Sequence, residues 1–177
     1  MRNKNKDMKT KTYKIYKGCH YSNFFPKFLL PYESGIMGNF IVFDDSCKYE
    51  IDEASCVNKL FGFCFGFGVH KNSIRFGWTY NKETNNIYIW IYTYINRHLT
   101  KEKVFSCDVG ESHFYRIEYV RLNKTNGTYL VSMKIDDEYV LKELPVVSDS
   151  FFLTTLGPYF GGNTRAPHTM KIKCYGK

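Results

Sequence analysis

Three groupings in the sequence combine residue types and spacings that could act on a polar ligand. Glu50-Ile51-Asp52 places carboxylates on alternate residues, which share one face of a strand. Retaining sugar hydrolysis needs two such carboxylates about 5 Å apart, one as nucleophile and one as acid/base. In an E-x-D-x-x-E pattern the last acidic position is here Ser55, and Glu53 lies at an odd offset from Glu50 and so faces the other way. The pair is therefore read as an acidic strand end at a turn. A second set, Arg75, His70, Arg116, His168 and Tyr159, offers cations to neutralise a substrate carboxylate and groups able to move protons. These are common residues at unconstrained spacing, and they do not amount to a catalytic centre.

The third grouping is the most informative. In Ile87-Tyr-Ile-Trp-Ile-Tyr-Thr-Tyr-Ile95 the odd positions are Ile87, Ile89, Ile91, Thr93 and Ile95, and the even ones Tyr88, Trp90, Tyr92 and Tyr94. As a strand, this segment has one aliphatic face and one aromatic face. Its nine residues would span about 30 Å, which calls for a large sheet. Flat aromatic rings suit the apolar C–H faces of sugars, so Tyr88, Trp90, Tyr92 and Tyr94 form a candidate glycan platform. The competing reading, preferred from sequence, buries the same rings in the core or a subunit contact. Arg75 and Trp78 lie on opposite faces of the preceding strand, so at most one joins the platform. Tyr159, Asn163 and Arg165, from Gly157-Pro-Tyr-Phe-Gly-Gly-Asn-Thr-Arg-Ala-Pro-His168, are read first as a structural turn and second as a binding rim.

The elements that must position these groups are strands. Period-two patterning recurs, and helical periodicity is almost absent. Candidate strands are 13–17, 40–43, 47–51, 60–69, 73–80, 87–95, 115–122, 128–136, 139–144, 151–156 and 168–175. Phe61, Phe63, Phe65 and Phe67 form a core face opposite the small residues Gly62, Cys64, Gly66 and Gly68. Tyr129, Val131, Met133 and Ile135 form another inward face. Asn126-Gly127 is a turn signal.

The 177 residues, 44% hydrophobic and 18% aromatic, suit one domain with one core. The formal charge is +8, but residues 1–17 contribute six of these charges and the remaining body is close to neutral. Residues 1–11 are read as a flexible basic arm able to contact an acidic partner, and residues 12–177 as the domain. Without a basic body, nucleic acid is not the expected partner. No stretch has the roughly 20 apolar residues of a membrane span, and no apolar segment follows the basic N-terminus as in a signal peptide. The six cysteines have no metal-ligand spacing and are expected as buried thiols; no metal or other cofactor is expected. The sequons at Asn123 and Asn126 are then incidental.

Phe114-Tyr-Arg-Ile-Glu-Tyr-Val120 with the hairpin strand 129–140, the segment Leu156-Gly-Pro-Tyr-Phe-Gly-Gly-Asn163, and a first strand near 13–17 able to pair with 168–175 together resemble the concanavalin A-like lectin and glucanase superfamily. Asn58-Lys-Leu-Phe-Gly-Phe63 and Asn72-Ser-Ile-Arg-Phe-Gly-Trp78 also look like small proteins of Bacteroidales bacteria and their phages. The first resemblance implies an all-β fold, a two-sheet antiparallel jelly-roll sandwich. The leading functional expectation is a non-enzymatic, lectin-like recognition or structural module. It would bind glycan or pack against other protein subunits, and the phage-like resemblance adds a possible virion setting for a chain made in the cytoplasm. The alternative is a jelly-roll polysaccharide lyase or hydrolase acting on an acidic glycan. Against it, Tyr159-Phe160 is followed by Gly161 where the lyase motif has Lys, and the Arg-containing and Gln-x-His motifs are not intact.

Overall fold

The computed structural model describes residues 9–30, 33–51, 56–123, 127–150 and 152–176. Strands β1 (Lys9–Ile15), β3 (Ser34–Phe43), β8 (Ser112–Asn123), β9 (Thr128–Ile135), β10 (Glu138–Val147) and β12 (Met170–Gly176) form one six-stranded sheet, in the order β1-β12-β3-β8-β9-β10. Strands β2 (Phe28–Leu29), β4 (Asn58–Phe65), β5 (Ser73–Asn81), β6 (Asn86–Ile95), β7 (His98–Asp108) and β11 (Leu153–Leu156) form the other, in the order β2-β11-β4-β5-β6-β7. Every pairing is antiparallel. The fold is the expected all-β jelly-roll sandwich. Among the described residues no helix is long and apolar enough to cross a membrane.

One core fills the space between the sheets. The second sheet contributes Phe61, Phe63, Phe65, Ile74, Phe76, Trp78, Ile87, Ile89 and Ile91, and the first answers with Tyr115, Ile117, Tyr119, Tyr129, Val131, Met133 and Ile135. Ring contacts cross the interface, Phe63 to Tyr119 at 5.6 Å and Phe76 to Tyr115 at 5.3 Å between centroids. The inward faces read from 61–65 and 129–135 are therefore core. The question left open for β6 resolves by its aliphatic side: Ile87 and Ile89 are fully buried, so Tyr88, Trp90, Tyr92 and Tyr94 stand on the opposite, outer face. This corrects the preferred core reading of those rings, because the aliphatic face meets the other sheet. Trp78 is buried in the core, and Arg75 shares the outer face with the β6 aromatics.

Several other expectations change. Residues 47–51 are not a strand; Asp45–Cys47 is a short 3-10 turn, capped by Asp44 accepting from Ser46 N at 2.9 Å. Phe67, expected in the core, is exposed, because β4 ends at Phe65 and Gly66 turns the chain with φ +74°. Strand β10 continues through Pro145, which its place at the sheet edge tolerates. Lys9, Thr10 and Lys11, assigned to the arm, pair with Gly176, Tyr175 and Cys174 in β1–β12. Residues 1–8 of that arm, Asp52 to Ser55, and Asn126 of the turn and sequon lie outside the described residues. All six cysteines are free, four of them buried.

The two faces of β6 predict opposite responses. Ile89→Ala leaves a hole in the core and is expected to cost about 2–5 kcal/mol, whereas Trp90→Ala on the outer face costs about 1 kcal/mol or less. Urea unfolding of the two variants reads the difference, and equal losses would contradict the placement of the rings.

Candidate functional site

The outer face of the second sheet carries the site. In the β5–β6 ladder Thr79 pairs with Tyr88, Gly77 with Trp90, Arg75 with Tyr92 and Ser73 with Tyr94. Directly paired residues project to the same side, so Arg75 lies beside Tyr92. On the other flank, β7 pairs Lys103 with Trp90, Lys101 with Tyr92 and Leu99 with Tyr94. Lys59 of β4 pairs with Gly77. A register shift between Lys59 and Gly62 releases Lys59 from the alternation that buries Phe61, Phe63 and Phe65, and turns it onto the outer face. Gly62 is required here, since a Cβ would stand 2.9 Å from Arg75 Cγ and closer still to the backbone of Ile74 and Arg75.

The loop after β11 closes one side. Lys59 N donates to the Tyr159 carbonyl at 2.8 Å and Tyr159 N to the Lys59 carbonyl at 3.0 Å, while Gly161 N donates to Asn58 Oδ1 at 2.8 Å. These bonds tie the loop to β4 and bring Asn163 to a hollow of the outer face. The Tyr159 ring stacks on His20 at 5.3 Å and meets Tyr21 edge-on at 5.1 Å.

Two hollows follow the outer face. One, of about 360 Å³, is lined by Lys59, Tyr92, Leu99, Lys101 and Asn163 among others. The second, of about 610 Å³, lies over Tyr88 and Trp90, with Thr79, Lys103, Glu50 and Glu83 in its walls. Trp90 and Tyr92 are consecutive on one strand face, about 7 Å apart, so the two hollows lie over adjacent positions of the β6 outer face.

Electrostatics single out the first hollow. Arg75 is only 7% exposed, and its Nε is buried without a hydrogen-bond partner. Its guanidinium lies 5.3 Å from the Tyr92 ring centroid, and Lys59 Nζ 4.3 Å from the same centroid. Lys59 Nζ donates to the Val57 carbonyl at 2.7 Å. Burial, reinforced by the Arg75 charge, lowers the Lys59 ammonium to about 8. Burial likewise works against the charge of Arg75. Tyr92 is pushed up to about 12, first by burial and then by its hydrogen bond with Tyr94; burial and the neighbouring Tyr21 also raise Tyr159. At neutral pH this stretch holds an amine poised to lose its proton and protonated phenols, with the Arg75 guanidinium buried against Tyr92 beside them. That set can hold a carboxylate and exchange protons with a neighbouring carbon or oxygen.

Of the residues singled out in the sequence, Arg75, Tyr88, Trp90, Tyr92 and Tyr94 share the outer face, Asn163 lines the first hollow, and Tyr159 is bonded to Lys59 but lines neither hollow. Arg165 lines neither hollow; its Nη1 donates to the Gly18 carbonyl at 3.4 Å. His70 reaches the end of the aromatic row, 4.9 Å from Tyr94 between ring centroids. Arg116 is on the other sheet, paired with Glu118 and Asp137, and His168 Nε2 is 2.8 Å from the Ser46 carbonyl in a structural contact. Sequence reasoning missed Lys59, Lys101 and Lys103. Among the described residues no cluster of His, Cys, Asp and Glu could hold a metal ion.

No protein-family model matches the chain, and no curated protein matches it. Solved structures do. The alginate lyase Aly36B superposes with a TM-score of 0.66 at 13% identity, over 94% of this chain and 78% of that one. A double mutant of Aly36B in complex with alginate tetrasaccharide gives 0.64 at 12% identity, over 94% and 78%. The polysaccharide lyase family 18 protein aly-SJ02 gives 0.53 at 8% identity, over 96% and 86%. At these identities the likeness is one of fold.

The depressed Lys59 ammonium has a consequence for stability. Its folded pKa, about 8, lies below its ordinary 10.5, so between those values the unfolded chain binds the extra proton. The charged amine therefore destabilises the fold fully below about pH 8, and the penalty disappears as pH rises toward 10.5. Lys59→Met is expected to be more stable than wild type at pH 7, with the difference shrinking between pH 8 and 10.5. Urea midpoints across that range check this; a constant difference would contradict it.

Proposed function

We propose that the groove binds a uronate-containing polysaccharide and cleaves it by β-elimination. The observation that carries this reading is Arg75: a buried guanidinium, unpartnered at Nε, on a face where, among the described residues, no acidic side chain lines the adjoining hollow. A cation withdrawn from water is costly unless paired, and a uronate carboxylate is the anion that this arrangement would accept. The enzymatic alternative raised by the sequence is thereby preferred to the lectin-like module, because recognition alone does not call for an amine of lowered pKa beside the anion site. The structural likeness to alginate lyases is consistent with this choice.

In the proposed reaction Arg75, aided by Lys101, neutralises the C6 carboxylate and so eases loss of the adjacent C5 proton. Unprotonated Lys59 takes that proton. The electron pair of the C5–H bond becomes the second bond of C4=C5, and the bond from C4 to the glycosidic oxygen breaks. Tyr92, held protonated, donates its proton to the departing oxygen, and the Lys59 ammonium returns a proton to the Tyr92 phenolate. The net result is transfer of one proton from carbon to oxygen and a new unsaturated chain end.

The test is incubation with uronate polymers while following the ultraviolet absorbance of the conjugated C4=C5 bond. Activity should rise with pH through about 8, as Lys59 loses its proton, and fall again toward about 12 as Tyr92 ionises. Lys59→Ala should lower kcat by about a hundredfold or more with bound oligosaccharide retained. Binding of uronate oligosaccharides without any unsaturated product would reject elimination and return the groove to pure recognition.

A further inference from the structure

The groove changes character along its length. Over Tyr92 the hollow is lined by Lys59 and Lys101 and, among the described residues, by no carboxylate, with the Arg75 guanidinium 5.3 Å from the Tyr92 ring centroid. One strand repeat away, over Trp90, Glu50 and Glu83 enter the walls together with Lys82 and Lys103, so the formal charges cancel. Among the described residues neither Glu50 nor Glu83 forms an ion pair. Both are exposed, so their charges face whatever occupies the groove. Lys103 Nζ lies 4.2 Å from the Tyr88 ring centroid, which draws its charge toward that ring. The floor is apolar: the Trp90 indole N–H donates to Thr79 Oγ1 at 2.9 Å, and Asn81 Nδ2 donates to the Tyr88 hydroxyl at 3.1 Å. The polar edges of both rings are thus engaged within the protein.

A second uronate carboxylate over Trp90 would meet two unpaired carboxylates, and like charges brought together in an interface are penalised. A neutral sugar avoids that cost. Its C–H face can lie on the indole, and its hydroxyl or amide N–H groups can donate to the carboxylates. We infer that the groove takes a polysaccharide of alternating character, with an acidic sugar over Lys59, Arg75 and Lys101 and an uncharged one, a hexose or N-acetylhexosamine, over Trp90 between Glu50 and Glu83. This rests on the uronate reading of the first stretch and specifies what must adjoin it. It also gives Glu50, read from the sequence as part of an acidic strand end, a role in selection.

The test compares homopolymeric uronates (alginate and glucuronan hexasaccharides) with alternating ones (hyaluronan and unsulfated chondroitin hexasaccharides). Binding is measured by calorimetry and unsaturated product by ultraviolet absorbance, on the whole protein and on Glu50→Gln/Glu83→Gln. The alternating oligosaccharides should bind about tenfold tighter than the homopolymeric ones, and the double variant should narrow that gap by about threefold. Equal or tighter binding of the homopolymers by wild type would overturn the inference while leaving elimination intact. A gap that the double variant does not narrow would overturn it too. Tighter binding of the alternating oligosaccharides with no product from any of them would uphold it and reject elimination instead. Failure to bind any of the four would reject both.

Discussion

The ladder between β5 and β6 is the constraint on which the site depends. Pairing Arg75 with Tyr92, Gly77 with Trp90 and Thr79 with Tyr88 fixes which side chains share a face. Once the aliphatic side of β6 and the Ile74-Phe76-Trp78 side of β5 are buried, every remaining side chain of the two strands must project outward. A slip of one residue would exchange the faces of whichever strand moved. The aromatic row would then compete for the core, or Arg75 would be driven into it. The hydrophobic demand of the sandwich thus holds the outer-face side chains in place.

Around that ladder the polar groups are placed by irregularities rather than by regular strand. The register shift in β4 presents Lys59, and the absent side chain at Gly62 lets the Arg75 stem lie close to β4. Two backbone hydrogen bonds to Lys59 bring in the loop that carries Tyr159 and Asn163. Bulges at sites that re-aim a side chain are a recurrent device of β proteins. Here one bulge converts a position in an otherwise fully buried strand into the amine of the groove.

The same division explains what could be read from the sequence. Long period-two segments such as 87–95 and 129–135 exposed the sandwich, its inward faces and the aromatic row, because burial of one face writes itself into alternate residues. It could not say which face of 87–95 was inside, since aliphatic and aromatic side chains both fill cores. Strand β7 left no pattern: His98-Leu-Thr-Lys-Glu-Lys103 is an exposed edge, and edge strands carry charge in place of alternation. With β7 went Lys101 and Lys103. Lys59 was hidden differently, because strict alternation from Phe61, Phe63 and Phe65 assigns it to the core. A lysine at an inferred core position was itself the signal, for it required either a partner or a break in register.

Setting Arg75 and Lys59 side by side works against the stability of the fold, and the local packing moderates that conflict without removing it. Both cations lie against the ring of Tyr92, which offers them the negative face of its π-system while their alkyl stems stay in apolar contact. Lys59 also donates to the Val57 carbonyl, yet Arg75 Nε has no such outlet. Hydrophobic residues of similar volume would fill these positions at lower cost. Local choices that oppose the rest of an otherwise consistent fold are found where function requires them. The aromatic at position 92 is therefore more than a flat ring: it is a surface against which two like charges are held close together.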